Sequence, residues 1–194
     1  MPKDLHTLPP DLPVPVSDGA CAHLPGSAMP AIALTSTARE PVNPAQLPGT
    51  VVYYIYPMTG RPDSPPMIGW NDIPGARGCT PQSCAFRDHY RELQALGAQV
   101  FGISAQSTAD QQEARERLHL PFHLLSDIGV QLAAALHLPT FTYEGKTLIK
   151  RLTLIVENGM ISKVFYPVFP PDANAAEVLR WLAAKKPALQ EGES

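Results

Sequence analysis

The segment Gly78-Cys79-Thr80-Pro81-Gln82-Ser83-Cys84-Ala85-Phe86-Arg87-Asp88 places two of the chain's three cysteines five residues apart. A thiol is a nucleophile only as its thiolate, so the surroundings must favour negative charge. Phe86, Tyr90, Leu93 and Leu96 recur along one face of a helix that Gly97 is suited to end. Cys79 falls at or just before the first turn of that helix. Unpaired backbone N–H groups and the helix dipole favour an anion there, which makes Cys79 a candidate thiolate nucleophile. Pro81 fits the same turn, because the N–H it lacks would have had no intrahelical partner. On an unbroken helix the Cα atoms of Cys79 and Cys84 would be about 8.7 Å apart. A disulfide needs them within roughly 7 Å, so joining them requires the first turn to unwind. Such a pair predicts a redox-driven conformational switch. The cysteines alone leave open a second reading, one exposed and one buried thiol without chemistry.

The elements that position this segment follow from the hydrophobic pattern. Val51-Val52-Tyr53-Tyr54-Ile55-Tyr56, ending at Pro57, reads as a central strand buried on both faces. Residues 58–78 contain Gly60, Pro62, Pro65, Pro66, Gly69, Pro74, Gly75 and Gly78 and no apolar period, which predicts a long loop of a kind that is often functional. Residues 98–104 form the next strand. Ser107 and Asp110 mark a helix start, with that helix running to about Leu118. Residues 121–125 form a short strand, and Ser126 or Asp127 caps a helix through Leu136. Residues 148–157 and 160–166 make a hairpin around Asn158-Gly159, and Asp172 caps a last helix carrying Val178, Trp181 and Leu182. Short strands or a hairpin are expected over 29–49. This order predicts an α/β fold, a mixed central sheet with helices on both faces.

Composition narrows the function classes. The 194 residues include 22 prolines, and 15 Lys+Arg against 18 Asp+Glu give a net charge of -3. With 44% hydrophobic residues the chain can fold as one domain without disulfide staples. No basic cluster supports binding to nucleic acid or to an anionic membrane. The N-terminus lacks the pattern of a signal peptide, and no apolar run is long enough to span a bilayer, so the cytoplasm is the expected compartment. The expected organisation is a proline-rich arm over 1–26, a domain over 27–187 and a tail over 188–194.

With Val-Val-Tyr-Tyr-Ile-Tyr-Pro ahead of it and Arg-Asp behind, the cysteine segment resembles the peroxiredoxin family. It is most similar to the bacterioferritin-comigratory or PrxQ type, and the resemblance covers roughly residues 27–185. It includes Phe101-Gly102-Ile103-Ser104, Leu124-Leu125-Ser126-Asp127 and Lys150-Arg151-Leu152-Thr153-Leu154-Ile155-Val156. The resemblance implies a thioredoxin-like fold and an antioxidant thiol peroxidase acting on hydrogen peroxide or organic hydroperoxides. It implies Cys79 as the peroxidatic cysteine, Cys84 as the resolving cysteine in an intramolecular disulfide, and Arg151 as the arginine that holds thiolate and peroxide. It further implies thioredoxin or a similar dithiol as reductant, no cofactor, and a monomer or homodimer. Arg151 has a physical case too, since a permanent cation with a fork of donors stabilises a thiolate and charge on the attacked oxygens. Arg77 is a second cation for that field, and Gln82 and Arg87 are candidates for orienting the first turn.

One departure stands inside the motif. The family pattern has proline and a threonine or serine seven and three residues before the peroxidatic cysteine, where this chain has Asp72 and Ala76. The proline-rich loop therefore reads as an insertion. Thr59 folding back, Thr80, or the backbone N–H groups of Gly78 and Cys79 are the candidates for orienting the peroxide, with Thr59 preferred. Cys21, in the arm, is expected to be a bystander because nothing around it favours a thiolate. The six histidines have no metal-ligand spacing. A redox-switched binding protein using the same cysteine pair is the alternative function. A disulfide oxidoreductase lacks its usual C-x-x-C.

Overall fold

Residues 50–55 form the strand that the β-branched and aromatic run predicts. The computed structural model describes residues 4–65 and 67–190, with side chains through residue 185. In chain order its strands are β1 (Leu34–Ser36), β2 (Pro41–Val42), β3 (Thr50–Ile55), β4 (Ala98–Ser104), β5 (Leu124–Ser126), β6 (Thr140–Tyr143), β7 (Lys146–Ile149), β8 (Leu152–Glu157) and β9 (Met160–Phe165). Its helices are α1 (Cys79–Asp88), α2 (Tyr90–Ala95), α3 (Thr108–Arg117), α4 (Gln131–Ala135) and α5 (Asn174–Gln190).

Among the described residues seven strands form one sheet in the order β2-β1-β5-β4-β3-β8-β9. β3 runs parallel to β4 and antiparallel to β8, so the sheet is mixed as expected. Alternate residues of β3 feed two cores. Val51, Tyr53 and Ile55 pack with Leu132 and Leu136 of the α4 region, while Val52 and Tyr54 pack with Phe86, Leu93 and Val178 from α1, α2 and α5. Helices thus cover both faces of the sheet. Gly102 in β4 makes room for this, because a Cβ there would come within 2.7 Å of Tyr54 Cζ and 2.6 Å of Leu124 Cδ2. The Tyr54 ring instead stacks on Phe86 at 4.5 Å and so seats α1 on the sheet. No helix among the described residues is long and apolar enough to cross a membrane.

Several boundaries differ from the sequence pattern. The single helix expected over 79–96 is interrupted at His89 (φ -93, ψ 5), whose ring turns to the Glu92 carboxylate at 2.7 Å. Backbone bonds continue across the break, and Phe86 and Leu93 keep one buried face. The run expected over 148–157 is two strands. Ile149 ends a separate hairpin, β6–β7, whose turn residues Glu144 and Gly145 both have positive φ, and Leu152 begins β8 in the main sheet. The chain breaks at Lys150-Arg151 because the Arg151 side chain turns inward to loop carbonyls. Asp127 does accept from the N–H groups of Leu132 (3.1 Å) and Ala133 (2.9 Å), but α4 starts only after a turn through Val130. Asp172 lies in a short 3-10 turn, Pro171–Ala173, that leads into α5.

The Ser107 cap and the Asn158-Gly159 hairpin turn form as read. The arm contains no helix from residue 4 onward and packs on the domain through buried Leu5, Cys21 and Leu24. Pro66 of the loop, residues 1–3 of the arm and residues 191–194 of the tail lie outside the described residues.

Candidate active site

Cys79 opens α1, and the local backbone explains why. Gly78 before it has φ 110, and a Cβ there would come within 2.6 Å of Pro171 Cγ and 3.0 Å of Leu8 Cδ2. Only glycine fits that N-cap. It offers no side-chain cap, so no capping side chain takes up the field of the first turn's N–H groups. The sulfur is buried, at 4% exposure, and its thiol points to the Ala76 carbonyl at 3.6 Å.

Arg151 arrives from the other side, immediately before β8. Its Nη2 donates to Cys79 Sγ at 3.2 Å, to the Ala76 carbonyl at 3.0 Å and to the Arg77 carbonyl at 3.3 Å. Its Nε donates to the Gly75 carbonyl at 3.2 Å, and its Nη1 donates to Gln82 Oε1. These partners are neutral carbonyls and a sulfur; none is a carboxylate. The guanidinium is itself only 3% exposed, so a buried cation faces Cys79, and among the described residues no carboxylate pairs with it.

A layer of polar side chains fixes that cation. Gln82 is fully buried and donates through Nε2 to Asn174 Oδ1 at 3.0 Å, and Thr153 Oγ1 donates to the same oxygen at 2.7 Å. Asn174 begins α5, so α1, β8 and α5 meet in one hydrogen-bonded group behind Arg151. Tyr54 supports the next residue of α1, its hydroxyl donating to Ser83 Oγ at 3.2 Å.

Cys84 lies on α1 and is half-buried. Burial pushes its thiol pKa up, and the Arg87 charge pulls it partly back. Its Sγ is 3.9 Å from His6 Nδ1 of the arm. The arm is held across the site by Arg77, whose Nη2 donates to the carbonyls of Asp4 (2.6 Å) and Thr7 (3.3 Å). All three cysteines are free thiols.

The structure brings Cys79, Arg151, Gly78, Thr80 and Arg77 together. The last three line, with Cys79, a cavity of about 10 Å³ closed by Leu5, Met67 and Trp70. Thr59 is not in that cavity. Its hydroxyl and N–H both bond to Gln106 Oε1, at 3.1 and 2.8 Å. The sequence pattern alone does not mark Asn174 or Thr153; the available signal is Thr153's position two residues beyond Arg151, on the same side of an extended chain. Among the described residues no group of three or more His, Cys, Asp or Glu could hold a metal ion.

The model of the Redoxin family matches residues 24–179, which span both cysteines of α1, Arg151 and Thr153. The chain belongs to the redoxin family. Within it, the likeness is to peroxiredoxin Q. The chain is 32% identical over 163 residues to the chloroplastic peroxiredoxin Q of Sedum lineare, covering 83% of this chain and 78% of that one. It is 32% identical over 159 residues to the chloroplastic peroxiredoxin Q of Oryza sativa subsp. japonica, covering 81% of this chain but only 65% of the rice protein. The peroxidoxin BcpB of Mycobacterium tuberculosis superposes with a TM-score of 0.66 at 26% identity, over 84% of this chain and 98% of its own. A PrxQ mutant from Xylella fastidiosa superposes with a TM-score of 0.68 at 20% identity, over 84% and 98%, and supports the thioredoxin-like fold alone.

Proposed function

We propose that this peroxiredoxin is a thiol peroxidase. The observation that carries the reading is the buried Arg151 guanidinium, 3.2 Å from Cys79 Sγ and without a carboxylate partner among the described residues. A buried charge is costly unless paired, so this site stabilises an anion at the sulfur. The thiolate takes the terminal oxygen of a hydroperoxide. The O–O bond breaks, Cys79 becomes a sulfenic acid, and the departing oxygen is protonated to water or an alcohol. Arg151 has donors in reach of both the sulfur and the oxygen that gains charge.

Cys84 then attacks the sulfenic sulfur. The S–S bond forms, and hydroxide leaves as water with the Cys84 proton. Both residues lie within α1, so this step requires its first turn to unwind. An external dithiol such as thioredoxin returns both thiols and is itself oxidised to a disulfide. Thr80 and the backbone N–H groups at Gly78 and Cys79 are the peroxide-orienting groups that line the cavity. The redox-switched binding reading has one observation in its favour. The arm rests on Gly78 through Leu8 and on Cys84 through His6, residues that must move when the turn unwinds.

Mixing reduced protein with one equivalent of hydrogen peroxide while following tryptophan fluorescence and thiol titre tests the proposal. Fast oxidation, lost in Cys79→Ser and halted at the sulfenic acid in Cys84→Ser, supports it. A bulk-thiol rate in the unmodified protein refutes it.

A further inference from the structure

Cys84 must attack the sulfenic acid as a thiolate, so its thiol proton needs an acceptor. Burial holds that proton in place, and the Arg87 and Arg117 charges offset the effect only in part. Arginine stabilises a thiolate but cannot take its proton. Asp88 acts on the sulfur through its charge, which opposes the thiolate, and its carboxylate accepts from Arg87 Nε at 2.8 Å. None of these groups is a base for Cys84.

His6 of the arm can be one. Its Nδ1 lies 3.9 Å from Cys84 Sγ, and a neutral imidazole protonated on its other nitrogen presents Nδ1 as an acceptor. The arm holds the residue there from both sides. One oxygen of the Asp4 carboxylate turns the chain by accepting from the N–H groups of His6 at 2.9 Å and Thr7 at 3.1 Å. Arg77 Nη2 donates to the carbonyls of Asp4 and Thr7, which flank His6. Leu5 is buried, and Leu8 packs against Gly78. None of these holding contacts uses the His6 side chain. His6 is itself exposed, so water can carry a proton to and from its ring.

Resting on the peroxidase reading, we propose that His6 is the general base of the resolving step. While α1 is intact, Nδ1 takes the Cys84 thiol proton. As the first turn unwinds, the Cys84 thiolate attacks the sulfenic sulfur of Cys79. The S–S bond forms and the S–O bond breaks; the Cys84 sulfur is oxidised and the Cys79 sulfur reduced. The imidazolium returns its proton through solvent to the departing hydroxide, which leaves as water. His6 precedes residues 24–179, which match the family, so the base is supplied by the arm.

The test is rapid quenching of the full chain after one equivalent of hydrogen peroxide, with thiols blocked and the sulfenic acid and the Cys79–Cys84 disulfide read by mass. The ratio of the disulfide-forming rate to the Cys79 oxidation rate is compared among the unmodified protein, His6→Ala and His6→Gln. Each substitution should lower that ratio by about a hundred-fold, the scale of one general base. Imidazole added to the buffer should restore much of the ratio in His6→Ala, which the loss of a merely structural contact would not allow. His6→Gln keeps a polar side chain of similar reach without a base, and so keeps the test valid if His6→Ala disturbs the arm. An unchanged ratio in both variants, or a lowered ratio that imidazole does not restore, overturns the inference while leaving the peroxidase intact. So does an unmodified protein whose Cys79 is oxidised without forming the disulfide. Failure of peroxide to oxidise Cys79 refutes the peroxidase reading itself, and the inference with it.

Discussion

Cys79 and Cys21 are almost equally buried, at 4% and 5% exposure, yet their surroundings differ. Cys21 sits in the arm among apolar side chains of the main core. Burial pushes its pKa up to about 12, the nearby Asp18 charge adds to the effect, and Lys150 opposes it. Cys79 sits at a helix N-terminus with no side-chain cap, and a buried guanidinium lies 3.2 Å from its sulfur. Burial alone makes a thiol inert. Cys79 instead has a charged hydrogen-bond donor against its sulfur. Arg151, held by Gln82 and four contacts to loop carbonyls and sulfur, is the main difference between the two.

That contrast can be broken from either side. The largest effect belongs to Cys79→Ser, which should slow peroxide consumption by about a thousand-fold or more, the scale of losing a nucleophile. Cys21→Ser should retain near-normal turnover; loss of activity there would break the contrast, and peroxide assays decide it. Arg151→Gln should slow Cys79 oxidation by roughly a hundred-fold or more, the scale of removing one preorganised electrostatic donor. Arg151→Lys should recover only part of the rate, since the charge returns without the planar fork that reaches sulfur and Gln82 together.

Gln82→Ala should cost about ten-fold, consistent with one hydrogen bond to a charged group, and Arg151→Gln should abolish the further effect of Gln82→Ala in a double-mutant cycle. If the two losses simply add, Gln82 does not act through Arg151. Disulfide formation should depend on pH through Cys84. Because burial raises its pKa, the rate of the second step should keep rising above the ordinary thiol range near 8.5, as stopped-flow fluorescence would show. A separate effect is on stability. The folded state holds Cys21 neutral, so above the unfolded thiol's ordinary value the unfolded chain binds fewer protons. Stability should therefore fall with rising pH, by at most about 1.4 kcal/mol per pH unit, until the folded pKa is reached. Cys21→Ala should flatten that alkaline decline in denaturant titrations.

The sheet, the first helix and the reactive cysteine were legible because each has a short-range signal. These are the β-branched run 51–56, the 3.6-residue apolar period after Cys79, and a cysteine at a helix start. Arg151 was legible through the family motif around it. Its support was not. Gln82 and Asn174 lie 92 residues apart in sequence, and nothing local marks a polar residue near a helix start as fully buried. The β6–β7 hairpin was missed because the apolar residues 148–149 and 152–156 read as one run, and only the inward turn of Arg151 separates them.

The proline-rich segments gave the most incomplete reading. Their composition predicted an irregular arm and loop, which the structure has. It could not show that Leu5 and Trp70 meet over the same sulfur, because that contact depends on Arg77 gripping the carbonyls of Asp4 and Thr7. Thr59, the preferred peroxide-orienting residue on the sequence, is instead bonded to Gln106. The loop reaches Cys79 instead through Met67, Trp70, Ala76, Arg77 and Gly78.

The most direct test of Cys79 as the peroxide-reactive thiol is intact-protein mass spectrometry on Cys84→Ser after one equivalent of hydroperoxide, with a sulfenic-acid trap. The account predicts a single trap adduct, formed with loss of water from the sulfenic acid and placed on Cys79 by peptide mapping, and none on Cys21. A protein left unmodified, or one oxidised at Cys21 with Cys79 still a thiol, would contradict it.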